Sequence, residues 1–195
     1  MKQRIKITIN SDHQIYDILN KTYLTGRSRE GTAEFTPELI SSIKASEDDE
    51  DLNQIKRSCM EATATLKGYL AEYLEESNAE GSNVLGWGDK QLVLLMPSNF
   101  NTAMTETIAL LCHKYISAKV CYDWYILNKP NEAPPYKADA ESAYAELRQA
   151  VSKRKRPTPP AGFMDLPEVE DPEEEIPEES GTEEGEGSED GPIAE

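Results

Sequence analysis

The chain has 195 residues, with 37 Asp plus Glu against 20 Lys plus Arg and a formal charge of −17. That length points to one domain with room for an appendage, and three cysteines are too few and too odd in number for a disulfide framework. No apolar run approaches the roughly 20 residues that span a bilayer, and Met1-Lys2-Gln3-Arg4 leads into no signal-like apolar stretch. The expectation is a protein that stays where it is made or leaves only as part of an assembly.

The charge is unevenly placed. Every Lys and Arg lies at or before Arg156, whereas 15 acidic residues lie between Asp165 and Glu195. Without those 15, residues 1–156 carry 22 acidic and 20 basic side chains. The body is therefore near neutral, and the acidity belongs to the C-terminal segment.

Arg4-Ile5-Lys6-Ile7-Thr8-Ile9 alternates polar residues with Ile, a period of two that predicts a half-buried strand. From Asp12 to Tyr23, the residues Ile15, Ile18, Leu19 and Tyr23 fall at helical spacing. Ser11 or Asp12 can cap that helix, and Thr25-Gly26-Arg27-Ser28 should end it. Pro37 can open a short helix capped by Thr36 and carrying Leu39, Ile40 and Ile43. The run Glu47-Asp48-Asp49-Glu50-Asp51 reads as a solvated loop or an acidic lead-in to a helix N-terminus.

The clearest element follows. Leu52, Ile55, Cys59, Ala62, Leu66, Tyr69 and Tyr73 step by three and four, widened by Leu70 and Leu74, and predict a helix over about 52–76. Residues 77–83 are polar and glycine-containing, a loop, and Gly86-Trp87-Gly88-Asp89 is a turn. Gln91-Leu92-Val93-Leu94-Leu95-Met96 is too short for a helix, stops at Pro97 and reads as a buried strand. A second long helix begins near Asn99 or Asn101 and runs to Leu127. Its inward face holds Met104, Ile108, Leu111, Cys112, Tyr115, Ala118 or Lys119, and Tyr122, broadened by Ile116, Val120, Trp124 and Ile126, so it should be central and covered on several sides. Pro130 to Pro135 form a bend. A third long helix, about Tyr136 to Arg154, places Tyr136, Ala140, Tyr144, Leu147 and Val151 on one face. Its acidic start and its basic end, Lys153-Arg154-Lys155-Arg156, agree with the helix dipole. From Pro157 the composition turns to Pro, Glu, Gly and Ser, which cannot bury a core. The domain boundary is placed at Arg156/Pro157, and no internal repeat is visible.

Few residues suggest chemistry. Cys112-His113 with Cys121 is the one Cys/His cluster, but adjacent helical ligands diverge by about 100° and zinc sites use closely spaced pairs. Buried thiols beside a surface histidine are the preferred reading. A cysteine nucleophile would need an activating histidine, and nothing brings His13 to a thiol. Gly86-Trp87-Gly88 lacks the residues of a phosphate loop. No catalytic, metal or cofactor site is expected, nor a small-molecule substrate. Lys153, Arg154, Lys155 and Arg156 suit a helix end or a subunit contact better than nucleic acid, and the acidic segment could fold back and mask them. Tyr115, Tyr122, Trp124, Tyr125, Tyr136 and Tyr144 read first as core. Tyr122, Trp124 and Tyr125 cover more than one helix face, so one of these faces is a candidate subunit or partner contact.

The order of parts carries a resemblance. A long helix from Leu52 precedes Pro97. A central helix, Asn101 to Leu127, contains Lys114-Tyr115-Ile116, and a proline-bearing bend leads to a final helix ending in Arg156-Pro157. Over residues 52–156 this resembles the small head–tail connector, or adaptor, proteins of tailed phages and prophages. The N-terminal strand and the acidic segment depart from the simplest members. The resemblance implies a helical virion subunit that rings the portal, binds portal and tail-completion proteins or copies of itself, and has no enzymatic activity. It implies assembly in the host bacterial cytoplasm and residence in the virion, with no membrane partner and nucleic acid disfavoured. The competing expectation is a cellular protein-interaction module with an acidic regulatory tail. In either case the expected fold is mainly α: a small helical bundle over 1–156 with a minor β element, the N-terminal strand and 91–96, followed by a disordered acidic tail over 157–195.

Overall fold

In a computed structural model, residues 2–30, 36–75 and 86–157 are described. The chain divides into two units, 1–156 and 157–195. The expected disordered tail and the expected loop over 77–83 lie outside the described residues.

Strand β1 (Gln3–Ile9) buries Ile5, Ile7 and Ile9 and exposes Arg4, Lys6 and Thr8, the alternation its sequence encodes. It pairs antiparallel with β2 (Lys90–Met96), with Ile5 opposite Leu94 and Ile7 opposite Leu92. The two segments expected as strands are thus joined within one chain. A third short segment flanks β2 on its other side. Glu75 N–H donates to Val93 O at 2.9 Å, and Leu95 N–H donates to Tyr73 O at 2.6 Å.

Between β1 and the next helix, Asn10 rather than Ser11 or Asp12 is the cap, its Oδ1 accepting from His13 N–H at 2.9 Å. Helix α1 (Ser11–Ser28) does not stop at Gly26. It runs through it, because the missing Cβ leaves room for the Lys44 side chain, whose Cγ would lie 2.5 Å from an added Cβ. The fully buried residues of α1 are Ser11, Gln14, Ile18, Thr22 and Gly26; of the face the apolar spacing suggests, Ile18 is buried and Ile15 and Leu19 pack half-buried against the core. Tyr23 stands exposed. Polar Gln14 and Thr22 tolerate burial because they are hydrogen-bonded, Thr22 Oγ1 donating to Leu19 O and accepting from Ala45 N–H. Helix α2 (Pro37–Ile43) begins as expected, with Thr36 at its cap and Pro37 in its first turn.

Helix α3 (Asp49–Tyr69) starts in the acidic run, so Asp49, Glu50 and Asp51 face the positive end of its dipole. It buries Ile55, Cys59, Ala62 and Leu66 as the stripe predicts, but ends earlier than expected. Gly68 weakens its last turn. Residues 70–73 then turn into the ladder with β2, whose hydrogen bonds replace those of further helix.

Phe100 is fully buried. A 3-10 turn, Thr102–Met104, capped by Asn101 Oδ1, leads into α4 (Thr105–Asn128). Buried residues surround α4: Ile108, Leu111, Tyr115, Ile116, Ser117, Val120, Cys121, Trp124 and Tyr125. Helices α1, α2 and α3 and strand β1 all pack against it. A helix apolar on nearly every side is the one the others must cover.

The bend after α4 is a 3-10 turn, Pro130–Glu132, running directly into α5 (Ala133–Ser152), whose first turn takes Pro134 and Pro135. Ala133, Ala140, Ala143, Leu147, Ala150 and Val151 are its buried face, and its most extensive packing is with α4. Small side chains on that face let the two backbones approach closely. Helix α5 ends at Ser152, before the basic run. The chain turns extended at Lys153, where Lys153 O accepts from Asn101 N–H at 3.3 Å, and Lys155 N–H then donates to Asn99 O at 2.7 Å. The expectation that Lys153–Arg156 extend α5 and complement its dipole is therefore corrected: they form a strap bridged to residues 99–101.

Candidate interaction surfaces

The three aromatics expected to supply a contact do not act together. Trp124 is 7% exposed, and its Nε1–H donates to Ile43 O at 3.1 Å. Tyr125 is fully buried, its ring stacked on Tyr136 at 5.0 Å and 18°. Both belong to the chain's own core, because α1, α2 and the start of α5 cover the side of α4 that the sequence leaves unassigned. Burial pushes the Tyr125 hydroxyl well above the usual tyrosine range and raises that of Tyr136 as well. Only Tyr122 stays half-buried at a surface, with the Lys119 ammonium 5.2 Å from its ring centre and Lys119 itself paired with Asp123.

Tyr122 lines a cavity of about 180 Å³ with Tyr69, Tyr115 and Tyr144, flanked by Lys119 and Lys137. Helix α3 contributes Tyr69 from its last turn, α4 contributes Tyr115 one turn before Lys119, and α5 contributes Tyr144 one turn after Ala140. Tyr69 meets Tyr115 edge-on at 5.8 Å and lies 4.1 Å from Tyr144. Burial, reinforced by the neighbouring Tyr69 hydroxyl, raises the Tyr115 pKa. The same Tyr69–Tyr144 pair borders a second hollow of about 410 Å³ formed with Leu70, Tyr73, Leu147, Arg148 and Val151. Together they make a tyrosine-walled surface whose rim carries charges of both signs, Lys119, Lys137 and Arg148 with Glu141 and Glu72. It can bind apolar and aromatic groups by ring contact and orient them through hydroxyls and ammonium groups. Tyr69 was assigned to the buried stripe, yet it is 45% exposed, since α3 ends there.

All four residues of the basic strap are exposed. The Arg154 guanidinium donates to Val151 O at 3.0 Å, closing the end of α5. Among the described residues no carboxylate pairs with Lys153, Arg154, Lys155 or Arg156, whereas Arg4, Arg29, Lys44, Lys119 and Lys137 all have acidic partners. Sequence reasoning also missed the exposed apolar residues Leu110, Ile126 and Leu127 on α4 and Tyr16 and Leu24 on α1. Leu110, Leu127, Tyr16 and Leu24 fall off the expected buried stripes, whereas Ile126, expected on the inward face of α4, is 46% exposed because the helix ends two residues later.

The Cys/His group is dispersed by the fold. Cys59, Cys112 and Cys121 are buried free thiols, each pushed up to about 12 by burial, so they hold their protons at neutral pH. His113 points instead to α1. Its Nε2 lies 2.6 Å from Asp17 Oδ2, and its Nδ1 lies 2.8 Å from Gln14 Nε2. The Gln14 amide oxygen accepts from Ser117 Oγ at 3.1 Å. An amide nitrogen can only donate, so Nδ1 is the acceptor and the ring is the Nε2–H tautomer, donating to Asp17. This network ties α1 to α4. Among the described residues, no group of three or more His, Cys, Asp or Glu could hold a metal ion, and no helix is long and apolar enough to cross a membrane.

Compared with protein families, curated proteins and solved structures, the chain finds no match.

Proposed function

We propose that this chain is a structural subunit of a phage or prophage virion, a head–tail connector that packs in a ring between portal and tail. The observation that carries the reading is the order of parts: a long helix, a proline-marked break, a central helix, a proline-bearing bend and a final helix that ends at Ser152, ahead of the basic strap. The packing of α3 and α5 on α4 supports it by supplying a rigid body. The tyrosine-walled surface and the exposed basic strap, which pairs with no carboxylate among the described residues, support it as partner-facing features. The work of such a subunit is geometric. Its core holds two chemically distinct surfaces at set positions, one aromatic and one cationic, for the proteins above and below.

The test is to mix the purified chain with portal complexes from the same genome and image the product. Density is expected at the tail-facing end of the portal. Tyr69→Ser, or Lys155→Glu with Arg156→Glu, alters only exposed side chains and should weaken that density while leaving the circular dichroism unchanged. Absence of binding to the portal and to neighbouring tail proteins would overturn the reading in favour of a cellular interaction module.

A further inference from the structure

In a strand, the N–H and C=O of one residue point to the same side, and successive residues alternate. Val93 and Leu95 direct theirs to residues 73–75. Leu92, Leu94 and Met96 therefore face β1, where their partners are Ile7, Ile5 and Gln3. It follows that the backbone groups of Arg4, Lys6 and Thr8 point away from β2. The sheet order places β1 at its edge, and among the described residues no other backbone group bonds to these three. All three are exposed. The edge thus offers three donors and three acceptors in strand spacing.

We propose that this edge is a strand-addition site for an extended acidic segment of a partner protein. The side chains choose the occupant. Lys2, Arg4 and Lys6 line the outer face of β1, with no acidic residue among them. Arg4 reaches Glu75 at 2.7 Å, while Lys2 and Lys6 pair with no carboxylate among the described residues. Gln3 Nε2–H donates to Ser98 O at 2.6 Å, next to Asn99, which holds Lys155. The basic strap therefore lies at the same end as the start of β1 and extends the cationic run.

A second copy of β1 is disfavoured, because antiparallel pairing would bring the cations Arg4 and Lys6 of one copy alongside those of the other. A strand carrying carboxylates on one face relieves the same repulsion and completes the ladder. A nucleic acid could meet the charge but not the edge, since a phosphodiester has no donor for the carbonyls of Arg4, Lys6 and Thr8.

This inference rests on β1 and not on the connector reading, and its test contains no portal, so either can fail alone. The full-length chain is titrated with a capped heptapeptide alternating glutamate and valine while amide hydrogen exchange is followed by NMR. The Arg4, Lys6 and Thr8 amides should exchange fast in the free chain. They should slow about tenfold at a peptide concentration ten times its dissociation constant, with Ile5 and Ile7 protected throughout. Lys6→Pro removes an outward N–H, a change an edge strand tolerates, and should abolish the effect with the melting temperature retained. If that variant unfolds, Lys6→Glu should weaken binding of the glutamate peptide and favour its lysine counterpart. Protection of the three amides in the free chain would overturn the proposal. So would no response at about 1 mM peptide, an equal response to the lysine peptide, or protection by duplex DNA but not by the glutamate peptide.

Discussion

Leu66→Ala tests the packing of α3 most directly. Leu66 is fully buried on the face of α3 directed at α4. The substitution removes three carbons, and at ~0.8 kcal/mol for each buried methylene-sized group the transfer loss is about 2.4 kcal/mol. A helix–helix interface collapses only partly around the vacancy, which brings the total to about 2.5–5 kcal/mol. For a domain near 150 residues that is on the order of 5–20 °C in melting temperature. Leu127→Ala is the internal control. The same atoms are removed from a side chain that is 68% exposed, so the cost should stay within ~0.5 kcal/mol. Urea unfolding followed by far-UV circular dichroism, with unchanged m-values, gives both numbers on one scale. A cost under about 1 kcal/mol for Leu66→Ala, or one matching that of Leu127→Ala, would show that the α3–α4 interface does not hold the fold together.

Gly26→Ala should not bring the ~1 kcal/mol that helix propensity alone promises. The new methyl meets Lys44 Cγ and disturbs the Lys44–Glu30 pair, so chemical denaturation should show a neutral or destabilised protein; a gain near 1 kcal/mol would contradict the close approach. Gln14→Leu leaves the Ser117 hydroxyl and the His113 ring without their partners and should cost about 1–3 kcal/mol, with the His113 side-chain NMR signals losing their single-tautomer pattern. The three thiols are raised from 9.0 to about 12. The unfolded chain therefore releases these protons first, and their contribution to stability, complete below pH 9, is lost as the pH climbs towards 12, at up to ~1.4 kcal/mol per pH unit for each thiol. Melting temperature against pH should fall over that window, and replacing all three cysteines by alanine should flatten the fall. In the native chain at pH 8 a thiol reagent should react slowly with all three, and rapid labelling of any one would place it at the surface.

Local pattern carried much of this fold. The Ile5-Ile7-Ile9 alternation, the Ile55–Leu66 stripe and the all-round apolar character of α4 were legible because burial on one side, or on every side, leaves a period in the sequence. So was the Thr36–Pro37 start of α2. What tertiary structure decided depends on neighbours distant in sequence. Only the packing of α1 on α4 shows that Gln14 and Thr22 face inward, since a polar residue is buried when a partner such as Ser117, about a hundred positions away, satisfies it. Only the joining of residues 73–75 to β2 explains why α3 stops at Tyr69 and leaves that ring at a surface. The bridge from Lys153 and Lys155 to residues 99–101 turns a helix end into a strap. Trp124 and Tyr125, whose spacing fits an interface as well as a core, are buried because α1, α2 and α5 reach them first. A helical period records that a face is covered, but the covering element, whether in the same chain or another, leaves no mark in the covered segment.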